Sequence, residues 1–108
     1  MSDPELGPQL DPLLTDATRL SIAALLAAGE WAEFGFVRDS TGVSDSTLSK
    51  RVSQLSEVGY VEVRKGYVGK RPRTWLSLSA AGRAALGAHV AALQRIASRV
   101  DRPAARPS

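Results

Sequence analysis

The sequence has no cysteine, one histidine and one methionine among its 108 residues. The missing cysteine excludes disulfides, thiolate metal sites and a Cys nucleophile, and is compatible with a reducing cytosol. His89 is the single imidazole, and without clustered carboxylates beside it a metal centre has too few ligands. A lone helical histidine is more often a packing or surface residue than a base. No triad grouping, P-loop or dinucleotide-binding glycine pattern accompanies it. Neither an enzyme activity nor a cofactor is expected. No apolar run approaches the ~18 residues of a membrane span. The acidic start Met1-Ser2-Asp3-Pro4-Glu5 lacks the basic-then-apolar build of a secretory signal. The expectation is a soluble, cytoplasmic protein with no membrane partner.

What is present is an uneven distribution of charge. The net charge is only +3, yet residues 1–33 carry six acids against one base, and residues 44–75 carry seven bases against three acids. Such polarity presents a basic face to a polyanion. The basic excess gathers in Arg64-Lys65-Gly66-Tyr67-Val68-Gly69-Lys70-Arg71-Pro72-Arg73-Thr74-Trp75, with five bases and no acid. β-type sequence lies on both sides (Tyr60-Val61-Glu62-Val63 and Thr74-Trp75-Leu76-Ser77-Leu78), which predicts a β-hairpin with a long, flexible cationic tip.

Apolar residues make up 44% of the chain, enough for one domain with a modest core. Residues 1–9, with two prolines and a glycine, are expected to form a flexible arm. Thr15 or Asp16 is placed to cap a first helix that runs to about residue 28, with Gly29 as a stop tolerant of positive φ. Trp31-Ala32 suggests a short strand. A second helix covers 34–40 and turns the apolar groups of Phe34 and Val37 inward. Thr41-Gly42-Val43 is a turn. Ser44 caps a third helix, 45–58, with Gly59 as its stop, and Leu48, Val52, Leu55 and Val58 share its buried face. Ser79 caps a last helix, 80–100, in which Gly82 and Gly87 cost a little helical stability. The tail, 101–108, is expected to be disordered. The predicted class is mainly α with a small β-hairpin: a winged helix-turn-helix over 10–79 followed by a helix over 80–100.

With the core face of helix 45–58 fixed, Ser46, Lys50, Ser53, Gln54 and Glu57 point away from it, and Thr47, Ser49 and Arg51 lie on its flanks. A helix in the major groove reads bases mainly near its N-terminal end. Ser46, Thr47 and Lys50, with Ser44 and Ser49 beside them, are therefore the candidate base-edge group. Gln54 suits adenine if it reaches, and Arg51 suits a phosphate. Arg64, Lys65, Lys70, Arg71 and Arg73 are candidate phosphate contacts on the hairpin. Tyr67 and Trp75 are expected to pack, as strand aromatics usually do. On the last helix Leu86, Val90, Leu93, Ala97 and Val100 recur at 4-3-4-3 spacing with Ile96 beside them, a seam for another helix. Only part of so long a helix can lie on so small a body, so the seam favours pairing with a second copy.

Residues 10–96 resemble the small MarR-like winged-helix transcriptional regulators. The likeness rests on Leu10-Asp11-Pro12-Leu13-Leu14, on Gly42-Val43-Ser44-Asp45-Ser46-Thr47-Leu48-Ser49-Lys50, on Leu55-Ser56-Glu57-Val58-Gly59-Tyr60-Val61, and on Leu76-Ser77-Leu78-Ser79-Ala80-Ala81-Gly82-Arg83. It implies sequence-specific binding of double-stranded DNA as a homodimer, usually to repress transcription, with helix 45–58 in the major groove and wing 64–73 along the backbone. The competing expectation is a winged-helix protein-interaction module that does not bind DNA. A dimer crevice lined by Trp31, Phe34 and the last helix is a further candidate, for an apolar effector that the sequence does not identify.

Overall fold

A computed structural model describes residues 9–101. The expected arm, apart from Gln9, and the expected tail, apart from Asp101, lie outside the described residues. A 3-10 turn, Pro12–Thr15, leads into α1 (Ala17–Ala27). Then follow β1 (Ala32–Glu33), α2 (Phe34–Thr41), α3 (Asp45–Glu57), the hairpin strands β2 (Val61–Val68) and β3 (Arg71–Leu78), and α4 (Ala80–Asp101).

Caps set the helix starts. The Asp16 carboxylate accepts from the Arg19 N–H at 2.9 Å, and the Ser44 hydroxyl accepts from the Thr47 N–H at 3.1 Å. Each satisfies a donor that the first helical turn leaves free. The Ser79 hydroxyl does the same for Gly82 at the start of α4. α2 and α3 end before Gly42 (φ 74°) and Gly59 (φ 83°), a left-handed conformation that glycine adopts without steric penalty.

α1 ends differently from the expectation. Gly29 is not left-handed; instead the Ala27 and Gly29 carbonyls accept from the Arg83 guanidinium at 3.1 and 2.8 Å. The stop is tertiary, supplied by α4. Val58 also departs from its predicted place. It follows the last turn of α3 with φ −94° and ψ 4°, so the helical step no longer carries it inward, and it is 50% exposed.

The core gathers Leu14, Ile22, Leu26, Val37, Leu48, Leu55, Leu76 and their neighbours. Burying a Leu or Val side chain stabilises by about 1.5–3 kcal/mol, so Leu48, Val52 and Leu55 together tie α3 firmly to the body.

The sheet order is β1-β3-β2, antiparallel throughout. Strand alternation splits the sheet into two faces. Val61, Leu76 and Leu78 face the core, and the same face continues outward through Val63, Lys65 and Tyr67, paired with Leu76, Thr74 and Pro72. The opposite face carries Arg64, Gly66, Arg73 and Trp75. The hairpin is therefore not a long flexible loop. β2 and β3 continue to Val68 and Arg71, and only Gly69 (φ 63°) and Lys70 connect them. Gly66 is a strand residue beneath Trp75; a Cβ there would lie 3.2 Å from the indole.

α4 packs through a stripe one position away from the predicted seam. Gly82, His89 and Ala92 are buried and Ala85 half-buried, a 3-4-3 spacing. Gly82 is required for close approach, since a Cβ would collide with the Tyr60 carbonyl and Leu78. His89 Nδ1 accepts the Asp11 N–H at 2.9 Å, and the Tyr60 O–H donates to the Asp11 carboxylate at 2.6 Å. The Tyr60 phenol is raised above its ordinary range by that hydrogen bond and then by burial. This cluster locks α4 to the chain's first described turn and to the corner before β2.

Candidate nucleic-acid interface

α3 lies between two flanks that differ in chemistry. On one side it meets α1. Arg51 pairs with Asp16 at 3.3 Å, and Gln54 accepts from Arg19 at 2.7 Å. The Asp16 carboxyl is held below its ordinary range, first by the Arg19 backbone N–H and further by the Arg51 and Arg19 charges. Two predicted contact residues, Arg51 and Gln54, are thus engaged within the chain. On the other flank Ser49, Val52, Ser53 and Ser56 face the wing across a cleft of about 610 Å³.

The outward ridge of α3 is Ser46, Lys50, Ser53 and Glu57, all exposed. Lys50 has no hydrogen bond or ion pair to another described residue. Ser44, Ser46 and Thr47 form a hydroxyl cluster at the helix start, with oxygens 3.0 and 3.3 Å from Ser44 Oγ; Ser49 is exposed one turn on. Arg38 bridges Asp39 and Asp45 at 2.9 and 2.8 Å, which fastens α2 to the first turn of α3. Asp39 first and Asp45 second raise the guanidinium above its ordinary range, and Arg38 in turn lowers the Asp39 carboxyl.

The five cations of the wing divide. Arg64 sits over the Trp31 ring, 4.3 Å from its centroid. Arg73 pairs with Glu33 at 3.4 Å. Lys65, Lys70 and Arg71 are exposed and make no ion pair with another described residue. Tyr67, expected to pack, is 73% exposed on the outer half of the wing. Sequence reasoning gave no role to Thr74, which lines the cleft beside Lys65. Strand alternation alone would have set Lys65 and Thr74 on the face that meets α3.

The dimer crevice expected of Trp31, Phe34 and the last helix would need a second copy; within one chain Trp31 and Phe34 line separate concavities. Phe34 lines the cleft between α3 and the wing. Trp31 lines a separate concavity of about 250 Å³ with Leu25 and Phe36, and α4 borders neither. Among the described residues no His, Cys, Asp and Glu group could hold a metal ion, and no helix is long and apolar enough to cross a membrane.

A helix-turn-helix whose second helix is exposed beside a basic hairpin defines a winged helix-turn-helix protein. Residues 18–97 match the family described as "Winged helix DNA-binding domain", and the chain belongs to that family. It is 24% identical to the uncharacterized protein MJ0432 of Methanocaldococcus jannaschii over 82% of this chain and 97% of that one. The fold is similar to that of a transcriptional regulator homologue from Pyrococcus horikoshii OT3, with TM-score 0.79, 21% identity, and coverage of 85% and 91% of the two chains. It also resembles the M. tuberculosis transcriptional regulator MosR, solved in complex with DNA, with TM-score 0.66, 24% identity, and coverage of 82% and 63%. MarR-family transcriptional regulators share this fold. The family is that of winged-helix DNA-binding domains, and the fold is one that transcriptional regulators share.

Proposed function

We propose that the protein is a sequence-specific regulator, acting as a repressor, that binds double-stranded DNA as a homodimer. In this reading residues 10–79 are the DNA-binding domain, α3 enters the major groove, and residues 64–73 run along the backbone. The observation that carries it is the exposed ridge Ser46, Lys50 and Ser53 standing beside the exposed Lys65, Lys70 and Arg71. Lys50 is the leading base-edge donor; the lysines of the wing and Arg71 supply phosphate contacts.

Support for the dimer comes from α4. Beyond Leu93 every side chain described is exposed, and Val90, Ile96 and Val100 are 37, 36 and 79% exposed. These apolar groups, with Ala97 and the half-buried Leu93, form the stripe that the intramolecular packing of Gly82, His89 and Ala92 leaves over, and Leu86, half-buried against the core, stands at its start. A two-fold dimer through residues 80–100 would cover it and set two recognition helices on two half-sites.

Fluorescence anisotropy on duplex DNA from the protein's own upstream region, against a scrambled duplex across a salt series, tests the reading, with light scattering for mass. Preference for the native duplex and a mass of two chains support it. A protein-interaction module is the second reading, and Phe36, 57% exposed beside the Trp31 concavity, is the observation in its favour. Absence of binding to either duplex at low salt would favour that second reading.

A further inference from the structure

Three arginines hold carboxylates around α3 and the wing. Arg51 meets Asp16 and Arg73 meets Glu33, one acid each. Arg38 holds two: Asp39 at 2.9 Å through Nε and Asp45 at 2.8 Å through Nη1. Both acids stand well out from the body, with side chains 73 and 70% exposed, while the guanidinium between them is 36% exposed. Each carboxylate is bound to it through one oxygen.

The place of this cluster in the fold gives it a task. Asp45 opens α3 and directly precedes Ser46 and Thr47, at the end by which a recognition helix reads bases. Asp39 lies in the last turn of α2, on the other side of the turn. Between residues 38 and 50 the one further charge is Lys50, and it makes no ion pair with another described residue. An acid in the first turn of α3 is favourable to the fold, because the helix start carries partial positive charge. The same acid is unfavourable to a polyanion. The major groove is ~12 Å wide, so a carboxylate at its mouth lies within the ~10 Å Debye length of 0.1 M salt from the flanking phosphates. Helix and DNA thus make opposite demands on Asp45, and Arg38 is the group that can meet both.

We propose that Arg38 is a positioning residue for DNA, which compensates Asp39 and Asp45 so that the start of α3 can approach the phosphates. It acts through the two carboxylates and not by touching DNA. This rests on the DNA-binding reading above and adds to it a cation whose work is done inside the protein. One arginine against two acids leaves the cluster at a formal charge of −1. Replacing both acids by asparagine makes it +1, replacing all three side chains makes it 0, and removing the arginine alone makes it −2.

The test is anisotropy on one mixed-sequence duplex over a salt series. It compares the wild type with Arg38→Ala, with the pair Asp39→Asn and Asp45→Asn, and with the triple variant carrying all three changes. Affinity should follow the cluster charge, by about threefold per unit at low salt. The double variant should bind most tightly, then the triple variant, then the wild type, and Arg38→Ala most weakly. The steps should shrink as salt rises and screens them. Melting temperatures should stay close together, since exposed ion pairs contribute little to stability. The decisive comparison is the triple variant against Arg38→Ala, because both lack the guanidinium. If the wild type binds and the triple variant is as weak as Arg38→Ala, the arginine is itself a phosphate contact and the proposal falls. If the double variant binds less tightly than the wild type, the bridge is a mechanical clamp between α2 and α3, and the proposal falls equally. If the wild type binds no duplex at low salt, the DNA reading itself fails and takes this role of Arg38 with it.

Discussion

The basic residues near the wing base and the back of α3 contrast with those at the wing tip and the front of α3. At the base, Arg51 meets Asp16, Arg64 lies over Trp31, and Arg73 meets Glu33. At the front and tip, Lys50, Lys65, Lys70 and Arg71 are exposed with no ion pair to another described residue. The first group makes the hairpin and α3 stand rigidly on the body. The second is available to a polyanion. A guanidinium is suited to the structural task because it offers several donors in a plane and stacks on aromatic faces. Formal charge treats the two groups alike; their surroundings do not.

The contrast is sharpened most by removing free cations together. Lys70→Ala with Arg71→Ala should weaken binding to every duplex by about tenfold or more at moderate salt, and should lower the salt slope by about two. The melting temperature should stay near that of the wild type, so a large drop in it would place these side chains in the fold. Next in size is Lys50→Ala, for which the loss should be about 1–3 kcal/mol and confined to one base position. Selection of bound sequences from a random pool would show it, and equal loss on all sequences would make Lys50 a phosphate contact.

A smaller effect should come from converting an engaged cation into a free one. Glu33→Gln releases Arg73 on the sheet, and affinity for mixed-sequence duplex should rise by about two- to threefold. No rise, measured by the same titration, would mean that Arg73 cannot reach DNA from its face.

The smallest effect concerns acid. The lowered Asp16 pKa means that its cap and its Arg51 contact stabilise the fold above the unfolded carboxyl value of 3.8. That contribution is lost as pH falls through the lower folded value. Asp16→Asn should therefore cost about 1 kcal/mol or less at neutral pH, the pair being partly exposed. The cost should vanish in acid, once the pH has fallen below that lowered folded value and the wild-type group is also protonated. Urea midpoints of both proteins at neutral pH and in acid give the comparison.

Much of this architecture is legible in the sequence because it is local. Ser44 before Asp45, Gly42 and Gly59 at positions needing positive φ, and the spacing of Leu48, Val52 and Leu55 each act within one or two helical turns. What the sequence conceals is tertiary. Nothing within reach of Gly29 says that α1 ends on Arg83, more than 50 residues away. The burial of His89 depends on the Asp11 N–H. The 3-4-3 stripe Gly82, Ala85, His89 and Ala92 was present as a pattern, but its small residues compete poorly for notice beside Leu86, Val90 and Leu93. The wing is an intermediate case. Its bases were visible, but their division into two faces follows from strand alternation through Gly66, which lies beneath Trp75.

The account stands on the claim that environment, rather than charge count, selects the DNA-binding cations. The most direct test is the salt slope of Arg64→Ala beside that of Arg71→Ala on one mixed-sequence duplex. Arg71→Ala should lower the slope by about one and leave the melting temperature unchanged. Arg64→Ala should keep the wild-type slope and lower the melting temperature, because a cation–π contact of about 0.5–1 kcal/mol is lost. Equal reductions of slope in the two variants would contradict the claim.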